Sequence, residues 1–560
     1  MLPLKKWKIL NTDINKPVVD MILHNRNLSL DHLRRFRLSE RLHDPFLLKD
    51  LDKAIQRIKN AINHKEKILI FGDYDTDGIS STVLMVKFFE KIKYSVDYYI
   101  PSRQKDGYGL KPAGVDHARA QNTDLLITVD NGISSGEAVL LANSHGIDVI
   151  ITDHHLQEGV LPEAYAIVNP NRDGCEYPFK GLCGAGVAYK LIQALAIDYL
   201  SEEEYKNFML AQLDLVALAT VADIVPLQDE NYALVKYGLQ SLKKTGRPGI
   251  IELKRVSGLL GKDITTTAIA FYLSPRLNAA GRLGDAELAV RLLLSSSREE
   301  ARQLASQLNG LNSQRQKLQE KYIDEALYAA QGSEDNIHIL INEEWDAGII
   351  GIVSGKLKDM LGRPVVVFTT DGDGNYVGSA RSTDNFHITH ALSRYQDLYL
   401  SFGGHQKAAG LTISPDNFDR FKQNITEYVN QTLDTNELSS ELIIDTVTGP
   451  EQLSAAVVET IESIGPFGEG NPEPVLLLCG VTIKEIMRIG QNSNHLKLIV
   501  QKGGSRFECV WWNRSDVKND IEFDMTVDVA FRPEINLWNG YKKVQLVIED
   551  IAPSPGYKLN

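Results

Sequence analysis

Three aspartates spaced two apart, Asp73, Asp75 and Asp77, stand in GDYDTDG, directly after the apolar run Lys67-Ile68-Leu69-Ile70-Phe71. In extended backbone, side chains two apart point the same way, so at least two of these carboxylates can converge on one point. Like charges held that close are costly unless a cation neutralises them. Alone, the run equally fits a solvated acidic loop or a helix N-cap, where aspartate is common. Further clusters shift the balance. Asp130 follows LLITV, Asp153-His154-His155 follows DVIIT, and Asp223 follows LVALATVA, where it would end a helix. Oxygen ligands with one or two imidazoles suit Mn²⁺ or Mg²⁺, the nitrogen favouring Mn²⁺. A carboxylate shared by two ions would set them roughly 3.5–4 Å apart, the arrangement used for in-line phosphoryl displacement.

Strands that alternate with helices over residues 61–284 predict a parallel α/β sheet, whose functional groups gather at the carboxyl ends of the strands. Three of the four clusters fall at that edge. Residues 1–60 read as a helical lead-in, on apolar spacing of three and four in the stretch from Leu30 onward. Residues 285–332 predict a helical connector opening on a capping box, Ser297 to Glu300, with Leu304, Leu308, Leu311, Leu318 and Tyr322 along one face. A second α/β unit follows over 333–440, and 441–560 carries short alternating runs that predict a small barrel or sandwich. Trp511, Trp512, Phe531 and Trp538 fall in this last segment, with Arg514, Arg532, Lys542 and Lys543 as a candidate basic rim. An aromatic in a small barrel is more often core than platform.

At 560 residues and 62.4 kDa the chain exceeds one compact domain, and 43% hydrophobic with 24% charged residues is ordinary soluble composition. No run approaches the ~18 apolar residues of a spanning helix. The start, MLPLKKWKILNTDINK, lacks an apolar signal region, so the expected compartment is the cytosol. Cys175, Cys183, Cys479 and Cys509 have neither disulfide-framework nor zinc spacing and read as reduced thiols. A net charge of −13 excludes a histone-like binder, but not a groove with local arginines beside a carboxylate-rich metal site.

DYDTDG, TVDNG, TDHH and VADIVPL match the ordered motifs of the DHH phosphoesterases, and within that superfamily the chain resembles the RecJ single-strand-specific 5′→3′ exonucleases. LHDPFLLKD, PSRQKDGYGL, SPRLNAAGRLGDA, FGGHQKAAG and PFGEGNPEP carry the narrower likeness, which runs over nearly the whole chain. Thr76 stands where alanine is usual, and Phe402 where the wider superfamily has the first of three glycines. The first departure is expected to matter little; the second is common in the RecJ branch. The resemblance implies a DHH catalytic domain, a DHHA1 substrate domain and a C-terminal OB-fold-like barrel. It further implies that Asp75, Asp77, Asp130, His154 and Asp223 hold two ions, with Asp73 and His155 close by and His155 contacting the scissile phosphate.

On the substrate side, Gly403, Gly404 and His405 lie in FGGHQKAAG, where glycine would let backbone amides approach a phosphate. A tight turn explains the pair equally well; the resemblance turns His405 toward the cleft. Arg103, Arg276 and Arg381 suit phosphate, since the guanidinium fork bonds two oxygens, and in the family such positions bind the strand and its 5′ end; Ser379 and Tyr108 are weaker candidates. The reading is thus a metal-dependent exonuclease serving recombination and repair, active as a monomer on single-stranded DNA, with a helicase and a single-strand-binding protein as partners and no membrane. Two alternatives stay open: a superfamily phosphodiesterase for short oligonucleotides or cyclic dinucleotides, and a non-catalytic single-strand-binding scaffold.

Overall fold

A computed structural model of the chain describes residues 4–29, 38–103, 106–157, 159–433, 441–490, 492–538 and 541–554. They fall into two compact units, Leu38–Asp434, and Met1–Arg37 with Thr435–Asn560.

In the larger unit the predicted apolar runs become neighbouring parallel strands. Ile68–Phe71 lies beside Leu125–Val129, which lies beside Asp148–Thr152, with Asp97–Tyr99 and Ala166–Val168 at the two edges. Alternate residues feed two separate cores: Ile68, Ile70, Leu125 and Ile127 on one face, Leu69, Phe71, Leu126 and Val149 on the other. A parallel sheet covered by helices on both faces needs such continuous apolar strands.

The connecting helix spans Arg298–Ala330, with Leu304, Leu308 and Tyr322 buried and Leu311 and Leu318 partly so. Its predicted capping box does not close. Ser297 Oγ accepts from Glu300 N, but the Glu300 carboxylate turns to the Ser295 hydroxyl, 2.7 Å away. A closed box occurs instead at Ser201 and Glu204, starting the helix Glu202–Ala222.

The second sheet runs in the order Tyr399–His405, Ala408–Ile413, Tyr376–Arg381, Val365–Thr370, His338–Ile341. Its last pair is parallel and the others are antiparallel, with the helix Ala347–Leu361 crossing over. FGGH is therefore edge strand rather than turn.

The smaller unit corrects the helical lead-in. Lys6–Ile9 is a strand, pairing in parallel with Glu441–Ile444, and Trp7 Nε1 donates to Asp550 Oδ2 at 2.8 Å. Helices cover only Val18–Asn25 and Leu51–His64, and residues 30–37 of that expectation lie outside the described residues. The barrel strands Leu476–Ile489, His495–Lys502, Ser505–Trp511, Tyr541–Pro553 and Thr526–Trp538 pair in that order, and the last returns to the first. Register shifts at Leu478/Val481, Ile483/Glu485 and Ala530/Phe531 break the period-two alternation of those segments.

A fully buried ion pair ties the helix Gly184–Tyr199, whose first turn meets the acidic cluster, to the helix Asp229–Lys244, and a hydrogen bond from the same lysine reaches the Leu38–Leu48 segment. Lys190 Nζ lies 2.6 Å from Glu230 and donates to the His43 carbonyl, while Tyr177 Oη donates to Glu230 at 2.5 Å. Lys190→Met leaves Glu230 without its cation, and removing one partner of such a pair costs about 3–5 kcal/mol. Denaturant unfolding of the variant should show a loss of that size.

Candidate active site

Asp73, Asp130 and Asp153 sit just past the carboxyl ends of three adjacent strands. Asp75 is the N-cap of the helix Thr76–Lys91, its Oδ1 accepting from Asp77 N at 2.9 Å and Gly78 N at 3.1 Å. The helix thus starts three residues before the Ile79 that hydropathy suggests, and Asp77 is carried into its first turn. Extended alternation does not gather these carboxylates; a strand end, a cap and a helical turn do. Asp77 accepts from Gly184 N and Ala185 N at 2.6 and 2.7 Å, so the start of the helix Gly184–Tyr199 holds both its oxygens. Asp223 caps the carboxyl end of Glu202–Ala222, as its place after an apolar helix predicts.

These residues meet in three overlapping groups whose ligand atoms lie within 4.8 Å of one another: Asp73, Asp75 and Asp130; Asp77, His154 and Asp223; and Asp130, His154 and His155. His154 Nε2 is 3.1 Å from Asp130 Oδ1, 3.6 Å from Asp223 and 3.8 Å from Asp77. Asp73 Oδ1, Asp130 Oδ1 and His154 Nε2 are buried without a hydrogen-bond partner. Burial, then repulsion by neighbouring carboxylates, pushes the Asp73, Asp130 and Asp223 carboxyls well above their ordinary range. Burial also raises Asp77 and holds the His154 imidazole toward its neutral form. Unsatisfied buried oxygens, a neutral imidazole and carboxylates forced together form a donor set suited to divalent cations, and it includes seven of the eight Asp and His residues of the four sequence clusters, all but Asp153.

Asp153 plays a different part. Its Oδ2 accepts from Ile133 N, and its Oδ1 accepts from His154 N and lies 2.7 Å from His155 Nδ1. Burial opposes the imidazolium, but the Asp153 carboxylate outweighs it and raises His155 to about 9. Tyr108 Oη lies 3.0 Å from the same ring.

The helix Ser274–Leu283, from SPRLNAAGRL, braces the acidic loop. Asn278 Oδ1 accepts from both the backbone N and the hydroxyl of Thr76 at 2.7 Å, and a Cβ on Gly281 would lie 2.4 Å from the Tyr74 carbonyl. The Thr76 departure therefore adds a buried hydrogen bond beside the ligands.

The substrate-side candidates divide. Arg381 donates to Ser379 Oγ at 3.1 Å, and its charge is opposed by that of Arg103, which lies over the Tyr74 ring at 4.5 Å and acts on Asp73. Arg103, Arg381 and Ser379 thus gather beside the acidic loop. Arg276 instead donates to the Tyr272 carbonyl at 2.6 Å and to Asn309 on the connecting helix at 3.0 Å. Gly403, Gly404 and His405 stay apart. Among the described residues no hydrogen bond or ion pair joins them to the acidic cluster, and His405 is exposed, its carbonyl accepting from Thr389. In the barrel, Trp511 and Phe531 are core, Trp512 is half exposed and edge-on to His495, and the side chain of Trp538 lies outside the described residues. The supposed basic rim is neutralised: Arg514 pairs with Asp516, Arg532 with Glu473 and Glu549, Lys542 with Glu459, and Lys543 with Glu508.

Over 566 residues the chain is 36% identical to the single-stranded-DNA-specific exonuclease RecJ of Bacillus subtilis, covering 98% of this chain and 71% of that one. The Escherichia coli protein of the same name is 37% identical over 526 residues, 90% of this chain and 91% of that one. The chain belongs to the RecJ family. Residues 67–220 match the DHH family N-terminal domain, 334–431 the DHHA1 domain and 444–550 the RecJ OB domain. The RecJ crystal structure from Thermus thermophilus in complex with Mn²⁺ superposes with a TM-score of 0.83 at 28% identity, over 99% of this chain and 80% of that chain. A second RecJ exonuclease structure, bound to manganese, matches with a TM-score of 0.60 at 33% identity, over 70% of this chain and 97% of its own. Among the described residues of this RecJ-family chain, no helix is long and apolar enough to cross a membrane.

Sequence reasoning misses Gly184 and Asn278. Gly184 shows in the sequence only as a small residue in GLCGAG, and Asn278 only as a neighbour of the first arginine in SPRLNAAGR. A Cβ on Gly184 would lie 2.4 Å from Asp130 Oδ1. Gly184→Ala should lower the unfolding midpoint, because the added Cβ also lies 2.5 Å from the Asp130 Cβ and overpacking a buried site costs about 1–3 kcal/mol. It should weaken Mn²⁺ binding, measured by titration calorimetry, by roughly 10–100-fold, the effect typical of disturbing a ligand's support.

Proposed function

We propose that the chain degrades single-stranded DNA from the 5′ end to mononucleotides by metal-dependent phosphodiester hydrolysis, in recombination and repair. The observation that carries this reading is the set of overlapping Asp/His groups with partnerless buried oxygens, lying beside two arginines that form no ion pair with a carboxylate among the described residues. Asp75, Asp77, Asp130, His154 and Asp223 would hold the cations, with Asp130 and His154 common to neighbouring groups. Bound Mn²⁺ or Mg²⁺ supplies a water of lowered pKa and neutralises phosphate oxygens.

The chain's own residues do the rest. Arg103, Arg381 and Ser379 grip the terminal phosphate and stop the strand from sliding past. Asp153 keeps His155 charged and aimed, so that Nε2, which lies 3.1 Å from Tyr108 Oη, is the ring nitrogen left to donate to the phosphodiester. Asp73 carries a buried, partnerless Oδ1 that, in the carboxylate form favoured once divalent charge is present, would take up a proton. Trp512, exposed on the barrel, provides a base-stacking face, a mode of contact that tolerates any sequence.

All ligands come from one chain, which favours a monomer. A single-strand substrate suits a helicase and a single-strand-binding protein as partners, and a cytoplasmic location.

One oligonucleotide tests the reading. It is labelled at either end and offered with Mn²⁺ as single strand or blunt duplex. Immediate release of a 5′-labelled mononucleotide, a shortening ladder from the 3′ label and an intact duplex are expected, and Asp77→Ala should abolish all turnover without unfolding. Hydrolysis of a dinucleotide with no digestion of longer strands would instead favour a small-substrate phosphodiesterase. Arg381→Ala should raise KM more for strands with a 5′ phosphate than with a 5′ hydroxyl; equal increases would remove it from the terminal-phosphate site.

A further inference from the structure

Half-buried arginines in the larger unit fall into two classes. Arg57 pairs with Asp148 and Glu66, Arg172 with Asp50, and Arg247 with Asp214. A second set forms no ion pair with a carboxylate among the described residues, although Asp75 acts on Arg282 and Arg103 acts on Asp73, and its members also act on one another. Arg381 is opposed by Arg103, Arg282 by Arg103 and Arg315, and Arg315 by Arg276. Burial comes first among the causes lowering each, and Arg282 falls to about 10. Electrostatic influence thus passes along the row Arg381, Arg103, Arg282, Arg315, Arg276, and its last two members are held side by side by Asn312 and Asn309, three residues apart on one helix.

Two of the row are not among the substrate candidates that the sequence offers. Arg282 is the second arginine of SPRLNAAGR and donates to the Gly348 carbonyl at 3.0 Å. Arg315 stands on the connecting helix, where Asn309, Asn312, Arg315 and Gln319 recur every three or four residues and so share one face. Asn312 Oδ1 and Gln319 Oε1 accept from the Arg315 guanidinium at 2.9 Å each, while its buried Nε has no partner. Asn309 holds Arg276 in the same manner. A carboxylate in these positions would orient the arginines equally well but cancel their charge. Amides orient them and leave the charge free for an anion.

We propose that the connecting helix is part of the strand-binding surface. Arg315, steered by Asn312 and Gln319, and Arg276, steered by Asn309, together clamp an internal phosphodiester of the single strand. Arg103 and Arg381 at the far end of the row take the terminal phosphate. The inference rests on the nuclease reading above, and it separates two charges on the substrate that the sequence motifs assign together.

The test is the salt dependence of kcat/KM for Mn²⁺-dependent digestion of 5′-phosphorylated and 5′-hydroxyl twenty-mers by the full chain. Wild type, Arg315→Gln and Arg315→Lys are compared. Loss of one phosphate contact should make the slope of log kcat/KM against log salt shallower by about 0.7. Arg315→Gln should show that change through KM, equally on both strands, and Arg315→Lys should restore most of the slope. An unchanged slope in Arg315→Gln, equal damage from Gln and Lys, or a loss confined to the 5′-phosphorylated strand would each overturn the proposal. Failure of the wild type to digest either strand would refute the nuclease reading itself and is distinguishable from all three.

Discussion

Mutual repulsion among buried carboxylates is the constraint around which the larger unit is arranged. Asp73, Asp75, Asp77, Asp130 and Asp223 crowd a space to which His155, Arg103 and Arg282 bring positive charge while His154 is held toward its neutral form. The fold bears this in part because Asp75 and Asp77 are held by backbone amides rather than by a neighbouring cation. Asp75 is committed to a helix cap, Asp77 to the amides of Gly184 and Ala185, and Asp130 to a left-handed conformation at φ +65°. Such a cluster stays compact only with divalent charge among its oxygens, so the strands and helices that hold it are scaffolding for an ion.

Much of this was legible in the sequence, for a physical reason. A parallel strand buried on both faces must be an apolar run, and the polar residue that ends it must lie at the sheet edge. The aspartates after Phe71, Val129 and Thr152 were therefore located by hydropathy alone, and Asp223 by the end of an apolar helix. What failed was the mechanism of convergence. Period-two alternation predicted that Asp73, Asp75 and Asp77 share a direction, whereas the helix begins at Thr76 and sends Asp77 to a different group from Asp73. Capping was the decisive local interaction, and aspartate in a loop does not reveal in the sequence whether it caps a helix, as Asp75 does here.

Charge was less legible than hydropathy. A run such as RPEINLWNGYKK advertises basic residues, yet Arg532, Lys542 and Lys543 are each neutralised by an acid distant in sequence. Conversely, Arg315 lies in an unremarkable polar stretch of helix, and only the fold shows that amides surround it. The partner of an ionic side chain is a long-range fact. Composition therefore identifies which residues carry charge but not which of those charges are left over to meet a ligand.

The pairing of Lys6–Ile9 with Glu441–Ile444, reinforced by Trp7 and the amides of Leu4 and Lys5 on Asp550, bears on how the chain is made. More than four hundred residues separate those two strands, so the strand made earlier must wait for a partner synthesised long after it. The larger unit, encoded between them, is complete before that wait ends. Order of synthesis thus favours a chain whose catalytic half is folded while its N-terminal strand is still unpaired. An unpaired strand edge is a liability for aggregation, and the first residues of this chain, MLPLKKWK, carry three lysines that discourage it.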